Sequence, residues 1–470
     1  MLRPIFDYCS TSLGNRRALW SRDEGRCSVP DSAGPGLTSG ALIDSDVAAD
    51  RTWARVDLGA VVGNYESIRR AIGPGPAILA VVKADAYGHG GVAVARALSE
   101  NGCRRFAVAC LAEAAELREA GIEGEVAVFG GFLKGQEGDA AELGLTPFVQ
   151  DKEQIERWNQ QARRVGRRLP YHLEIDTGMS RCGFDDADSG RLAAFVRSAD
   201  QLALEGLATH HASAEDFTSG QCEQQHRRFR NVVDSFTERG LRPKYLHCAN
   251  SVALAYRAEL DFDLVRPGIS LYGYVAPALG DAPASRLQLT PALEWKTRIQ
   301  VARPVAAGGL VGYNGTFRVE DATRIGVLPV GYGDGFDRRL SNRGEVVIAG
   351  RRCPIVGSVS MDITLVDLYN VPDSGPGDEV TLIGESMDAA EMARRLDTIP
   401  LEVLCRISKR VPRIHTKYRR WGSGTGGAAA DFVDGEACLL RDAGGHVVAG
   451  AQEAADVFDV FLGPNEKKGA

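Results

Sequence analysis

From about residue 51 onward, short apolar runs alternate with amphipathic stretches along most of the chain. Residues 51–58, ArgThrTrpAlaArgValAspLeu, alternate as a strand does, and a helical pattern follows to about Ile72. The run 77–82 has no polar position, which predicts a strand buried on both faces. The same reading expects strands over 77–83, 106–110, 126–129, 146–149, 171–176, 204–209, 244–248 and 262–265. Helices are expected between them, over 91–101, 112–120, 151–165, 187–199, 221–239 and 251–258. About eight strand–helix units in roughly 200 residues is the rhythm of an α/β protein built on a closed (β/α)8, or TIM, barrel. An open doubly wound sheet gives the same alternation, but the count and spacing favour closure, and the barrel is assigned to 59–285.

After about residue 286 the rhythm changes to short strands split by Gly, Pro and Asp, as in LeuGluTrpLysThrArg and GluValThrLeuIleGly. A mostly antiparallel β domain is therefore expected over 286–421, with one helix near 388–396 and the strand 51–58 joining it. Residues 1–50 lack aliphatic periodicity and carry ProAspSerAlaGlyProGly at 30–36, the composition of a disordered extension. Residues 422–430 read as a flexible linker, and 431–470 as a tail with room for a short hairpin.

Composition narrows the classes. A chain of 470 residues with 44% hydrophobic and 25% charged residues fits a globular protein of two to three domains. The net charge of −7 reads against a nucleic-acid or anionic-membrane partner, and no run of 18 apolar residues is present to span a bilayer. Ten cysteines are scattered with no CxxC pair. Cys103, Cys110, Cys182 and Cys405 read as small core residues, and the natural compartment is a reducing cytoplasm. Near the N-terminus Asp7 and Asp23, and the lack of an apolar segment, argue against a secretory signal. An organelle transit peptide is the weaker alternative.

The chemistry concentrates at strand ends. The buried run at 77–82 delivers Lys83 at its C-terminal end. Burial disfavours the ammonium form, and a neutral amine is what Schiff-base chemistry needs. Taken alone, such a lysine is more often a solvated strand terminus. Tyr87 sits four residues on, and Gly88 and Gly90 would let backbone approach a ligand. In a barrel, phosphate sites lie in the loops after strands seven and eight. Here those strand ends carry Asn250 with Ser251 and Gly268 with Ile269, a hydroxyl and free N–H groups at helix starts. A plain N-cap is the alternative for Ser251.

The string AlaValValLysAlaAspAlaTyrGlyHisGly resembles the cofactor-lysine motif of the alanine racemases, and the likeness runs in order from about Arg51 to the segment 406–413. The resemblance implies a homodimeric isomerase that uses pyridoxal 5'-phosphate and supplies D-alanine for peptidoglycan. By that resemblance Lys83 holds the cofactor and moves the α-proton on one face, while Tyr313 acts on the other face from across the dimer interface. Arg266 would hydrogen-bond the pyridine nitrogen, with His210 supporting it. Arg181 in AspThrGlyMetSerArg would hold the substrate carboxylate, Met361 would contribute a substrate-contacting backbone, and Tyr332 and Arg338 would stand at the entrance.

Two positions depart from the family pattern. Leu401 stands where the family usually has a phosphate-touching tyrosine, which leaves broad-specificity or serine racemisation as the runner-up. Glu174 stands where many relatives carry a carbamylated lysine, and it is expected to hold Arg181 directly or through one water. A pyridoxal-phosphate decarboxylase would be expected to place an acidic residue, not Arg266, on the ring nitrogen. A non-catalytic pyridoxal-phosphate carrier resembles a lone barrel.

Overall fold

The computed structural model describes residues 51–416, Tyr418, and the strand residues 430–431, 439–441 and 447–449. The extension expected over 1–50 and most of the linker and tail lie outside the described residues. Strand β1 (Thr52–Val56) leads into α1 (Leu58–Ile72), whose first turn is capped by Asp57, accepting from Ala60 N at 3.0 Å.

The barrel is built from β2 (Ala77–Ile78) with β3 (Ala80–Val81), β4 (Arg105–Val108), β5 (Glu125–Val128), β6 (Thr146–Val149), β7 (Leu169–Asp176), the short β8 (Phe184–Asp185), β9 (Leu202–Ala208), β10 (Tyr245–His247) and β11 (Leu264–Val265). Parallel pairing runs β3–β4–β5–β6–β7–β9–β10, with β8 extending the edge of β7. Closure comes from β11, parallel to β2, and from the backbone bonds Arg266 N to Ala249 O and Val81 N to Pro267 O, both 2.9 Å. Phe106 to Val108 and Val126 to Val128 are buried throughout, as strands enclosed on both faces require.

Around the barrel lie the short left-handed turn α2 (Lys83–Gly88) and the helices α3 (Gly91–Glu100), α4 (Leu111–Glu119), α5 (Glu137–Glu142), α6 (Lys152–Val165), α7 (Ser189–Ser198), α8 (Gln221–Glu238) and α9 (Ser251–Tyr256). The longer ones form for visible local reasons. In α6, Asp151 caps Gln154 N at 2.8 Å, Ile155, Trp158 and Ala162 form one inward stripe, and left-handed Gly166 ends the helix.

The second half contains β12 (Leu293–Arg298), β13 (Val301–Val305), β14 (Leu310–Val311), β15 (Phe317–Arg318), β16 (Thr323–Leu328), β17 (Glu345–Ile348), β18 (Arg351–Pro354), β19 (Thr364–Asp367), β20 (Glu379–Ile383), α10 (Ala389–Leu396), α11 (Pro400–Cys405) and β21 (Arg413–His415). Its main sheet has the order β18–β17–β20–β12–β1–β21. The first described strand is thus sewn into the C-terminal sheet, antiparallel to β12 and parallel to β21. In the tail, β22 (Ala430–Asp431), β23 (Leu439–Arg441) and β24 (Val447–Ala449) pair as an antiparallel three-stranded sheet. Among the described residues no helix is long and apolar enough to cross a membrane.

Several expectations need correction. Helices α5 and α11 were not expected, because six residues leave little periodicity to read. Cys103 is buried, but Cys110, Cys182 and Cys405 are exposed rather than core residues. Gly88 and Gly90 serve domain packing rather than a ligand. A Cβ on Gly88 would lie 2.5 Å from Leu404 O, and one on Gly90 would lie 2.5 Å from His415 Nε2.

Candidate active site

Lys83 leaves the first barrel strand on an unusual turn. Ala84, Asp85, Ala86 and Tyr87 all take left-handed φ/ψ values, near 53° and 48°. Such a turn costs L-residues roughly 1–2 kcal/mol each, so it persists only where its surroundings impose it. Glu113 accepts from Ala84 N at 2.7 Å, and Asp85 accepts from Gly91 N at 2.6 Å. From β21, Arg413 Nε donates to Gly88 O at 2.9 Å, and His415 Nε2 lies 2.8 Å from His89 O. The C-terminal domain thereby clamps the turn that carries the lysine. Burial, followed by the nearby Arg181 charge, holds the Lys83 ammonium below its ordinary pKa.

Lys83 opens on a cavity of about 490 Å3 at the barrel mouth. Tyr87, Glu174, Arg181, His210, Asn250, Ser251, Arg266, Gly268, Ile269 and Leu401 line the same cavity. Leu401 arrives from the first turn of α11, so this wall belongs to the C-terminal domain.

Arg266 is fixed from several sides. Its Nη1 donates to His247 Nδ1 at 2.9 Å, and its Nη2 donates to Thr209 O at 2.8 Å, Cys248 O at 3.2 Å and His210 Nδ1 at 3.3 Å. Arginine is only a donor, which dictates the rest of the chain. His247 must carry its proton on Nε2 and donate it to His172 Nδ1 at 2.8 Å. His172 in turn donates from Nε2 to Glu125 Oε1 at 3.0 Å. Burial pushes the Glu125 carboxyl up, but the His172 bond and the Arg105 and Lys244 charges outweigh it and hold the group below its usual value. Burial and the Arg266 charge keep His210 neutral, well below its ordinary pKa. Arg266 Nε makes no hydrogen bond among the described residues. His247, His172 and Glu125 escaped the sequence reading, although three inward polar residues on otherwise apolar barrel strands were its available signal.

On the same cavity, Ser251 Oγ accepts from Gly268 N at 2.8 Å and Ser270 N at 3.2 Å, and lies 3.0 Å from Ser270 Oγ. Asn250 Oδ1 caps α9 by accepting from Val252 N and Ala253 N at 3.1 and 3.0 Å. The N–H groups of Ser251 and Ile269 stand at first helical positions and have no intrahelical partner. Hydroxyls and spare N–H groups, the Arg266 guanidinium and the Lys83 amine around one cavity fit a phosphorylated pyridine aldehyde. Pyridoxal phosphate is such a molecule.

Asp176 builds the loop before Arg181 by accepting from Gly178, Met179 and Ser180 N at 2.9, 2.9 and 3.0 Å. Arg181 makes no ion pair among the described residues, so its guanidinium is available to a carboxylate in the cavity. The direct contact expected from Glu174 is not made. Its Oε2 accepts from Gln150 Nε2 at 2.9 Å instead, while burial raises its pKa. Gln150 also donates to Phe129 O at 2.8 Å, which parks it beside Glu174.

Tyr313, Tyr332, Arg338 and Met361 are gathered elsewhere, in a recess of about 730 Å3 on the β domain. Tyr313 is 70% exposed, Met361 52% and Tyr332 45%. The loop bearing Tyr332 is held by fully buried Asp334, which accepts from Arg51 Nη1 and Arg410 Nε, each at 2.7 Å.

Models of the alanine racemase N-terminal and C-terminal domains match residues 56–276 and 292–415. An alanine racemase from Symbiobacterium thermophilum is 41% identical over 371 residues, covering 77% of this chain and 97% of that protein. The crystal structure of alanine racemase from D-cycloserine-producing Streptomyces lavendulae has a TM-score of 0.74 at 32% identity, over 78% of this chain and 97% of that one. Alanine racemase from Bartonella henselae with covalently bound pyridoxal phosphate gives 0.70 at 31% identity, over 78% and 99% of the two chains. The chain belongs to the alanine racemase family, whose members depend on pyridoxal phosphate.

Proposed function

We propose that this protein interconverts L-alanine and D-alanine with two opposed bases, Lys83 and the partner subunit's Tyr313. The observation that supports it most is the convergence of a destabilised ammonium, a fixed arginine and a phosphate-sized cradle on one cavity. Bound there, pyridoxal phosphate supplies the electron sink that makes the substrate α-C–H acidic. Arg266 gives the pyridine nitrogen a hydrogen bond but no proton. The sink is then weaker than a carboxylate partner would make it, which suits removal and return of a single proton. Arg181 takes the substrate carboxylate, and Lys83 moves the α-proton on its own face. His210 keeps Nε2–H free to donate, and such a bond would favour the phenolate of the second base.

Support for a homodimer comes from Tyr313, Tyr332, Met361 and Ile363, all exposed around the recess on the β domain. An aromatic and apolar patch of that kind suits burial against a second copy, which would carry Tyr313 to the other chain's cavity. Free thiols at the described cysteines accord with a reducing cytoplasm, where D-alanine would feed peptidoglycan synthesis. Leu401 at the cavity wall favours a second reading, a broadened pocket that also accepts serine. The test is enzyme-coupled detection of D-isomers formed from a panel of L-amino acids. Alanine should turn over fastest, serine within reach of it, and absence of any enantiomer exchange in cofactor-loaded protein overturns the reading.

A further inference from the structure

Outside the cavity, three ligand-type side chains meet behind its wall. His211 follows His210 after β9, Cys248 follows β10, and His226 lies in α8. One ring nitrogen of each histidine and Cys248 Sγ all lie within 4.8 Å of one another. His211 is 2% exposed, yet neither of its ring nitrogens has a hydrogen-bond partner, and His226 Nδ1 has none either. The Cys248 carbonyl lies near His211, but without hydrogen-bond geometry. Buried polar groups left unpaired are costly because nothing replaces the water they lose, so three of them together call for a ligand. Cys248 is fully buried, and its thiol makes only a weak bond to Leu260 O at 3.3 Å.

We propose that His211, His226 and Cys248 bind one divalent transition-metal ion of the zinc class, with the fourth position open to water. One thiolate and two imidazoles form a set that prefers zinc-like ions to hard cations. Bonds of about 2.0–2.1 Å to nitrogen and 2.3 Å to sulfur place tetrahedral ligand atoms about 3.3–3.6 Å apart. Each pair therefore closes by at most about 1.5 Å, within reach of small rotamer changes. On binding, the Cys248 S–H bond breaks, its proton leaves to solvent and a sulfur–metal bond forms, with no electron transferred. The ion ties the ends of two barrel strands to α8. His210 and Asn250 on those same ends line the cofactor cavity, so occupancy stiffens that wall without touching reacting atoms.

The test uses the full chain loaded with pyridoxal phosphate, stripped of metal with a chelator and titrated with cobalt(II) under nitrogen. One cobalt per chain should survive dialysis, with red ligand-field bands of a tetrahedral site, release of one proton per ion and a higher unfolding temperature. Cys248→Ser and His226→Asn should each weaken retention about tenfold or more and alter those bands, while bound cofactor and circular dichroism stay as in the unsubstituted protein. Failure of the unsubstituted chain to hold cobalt overturns the proposal. Retention by both variants equal to the parent also overturns it, because the ion would then sit elsewhere.

Discussion

At the scale of single residues, environment rather than identity decides what each group can do. Lys83 is an ordinary lysine made deprotonatable by burial and by Arg181. Lys83→Ala should abolish covalent cofactor attachment and lower turnover by roughly ten-thousandfold, read from visible absorbance after dialysis and from racemisation. Appreciable turnover by that variant without added amine would remove Lys83 from its role. Glu174 makes the opposite case. Its folded pKa is raised by burial, so it favours the folded state below its unfolded pKa and loses that contribution as pH rises through the folded value. Glu174→Gln should therefore raise the unfolding temperature relative to the parent at neutral pH, and the gain should vanish near pH 4. Calorimetry at the two pH values decides it, and a gain of equal size at both would contradict the buried carboxylate. Because position 174 carries glutamate and offers no amine to carbamylate, rates in degassed and bicarbonate buffers should agree.

At the scale of elements, the long periodic segments were legible and the short strained ones were not. The two-sided apolar strands β4 and β5 and the amphipathic α6 lie close to their expected ranges, because burial imposes their patterns. The left-handed turn at 84–87 has no composition that announces it. Alanine, aspartate and tyrosine do not ask for positive φ; packing from β21 and α11 imposes it. The same packing explains why Leu401, in an unforeseen six-residue helix, lines the cavity. Gly88→Ala should cost about 1–3 kcal/mol from its φ of 83° alone, with a further cost from the Leu404 carbonyl, and should speed cofactor loss. An unchanged unfolding temperature would show that the turn yields easily. Leu401→Tyr should tighten cofactor retention by about 1.5–3 kcal/mol through a charge-assisted bond to phosphate and lower the serine-to-alanine rate ratio. If neither quantity moves, the position plays no part in specificity.

At the scale of the whole molecule, the candidate groups fall into two places that one chain does not bring together. Lys83, Arg266 and Arg181 line the barrel cavity, whereas Tyr313, Met361, Tyr332 and Arg338 line a recess on the β domain. Sequence spacing could not reveal that division, because order along the chain carries no information about which copy supplies a group. If the second base comes from the other subunit, two inactive chains can repair one another. A Lys83→Ala chain has an intact Tyr313 to lend, and a Tyr313→Phe chain has an intact Lys83 to receive it. Random reassociation of the two variants in equal amounts makes half the dimers mixed, each with one whole site, and should restore about one quarter of parental activity. Activity should rise at the rate of subunit exchange and depend on total protein concentration. The Tyr313→Phe parent alone should also abstract the α-proton more slowly from L-alanine than from D-alanine, as solvent-deuterium exchange in single turnovers would show. If mixing restores nothing although exchange is verified by mass-tagged subunits, Tyr313 acts within its own chain or not at all, and the shared-site dimer is wrong.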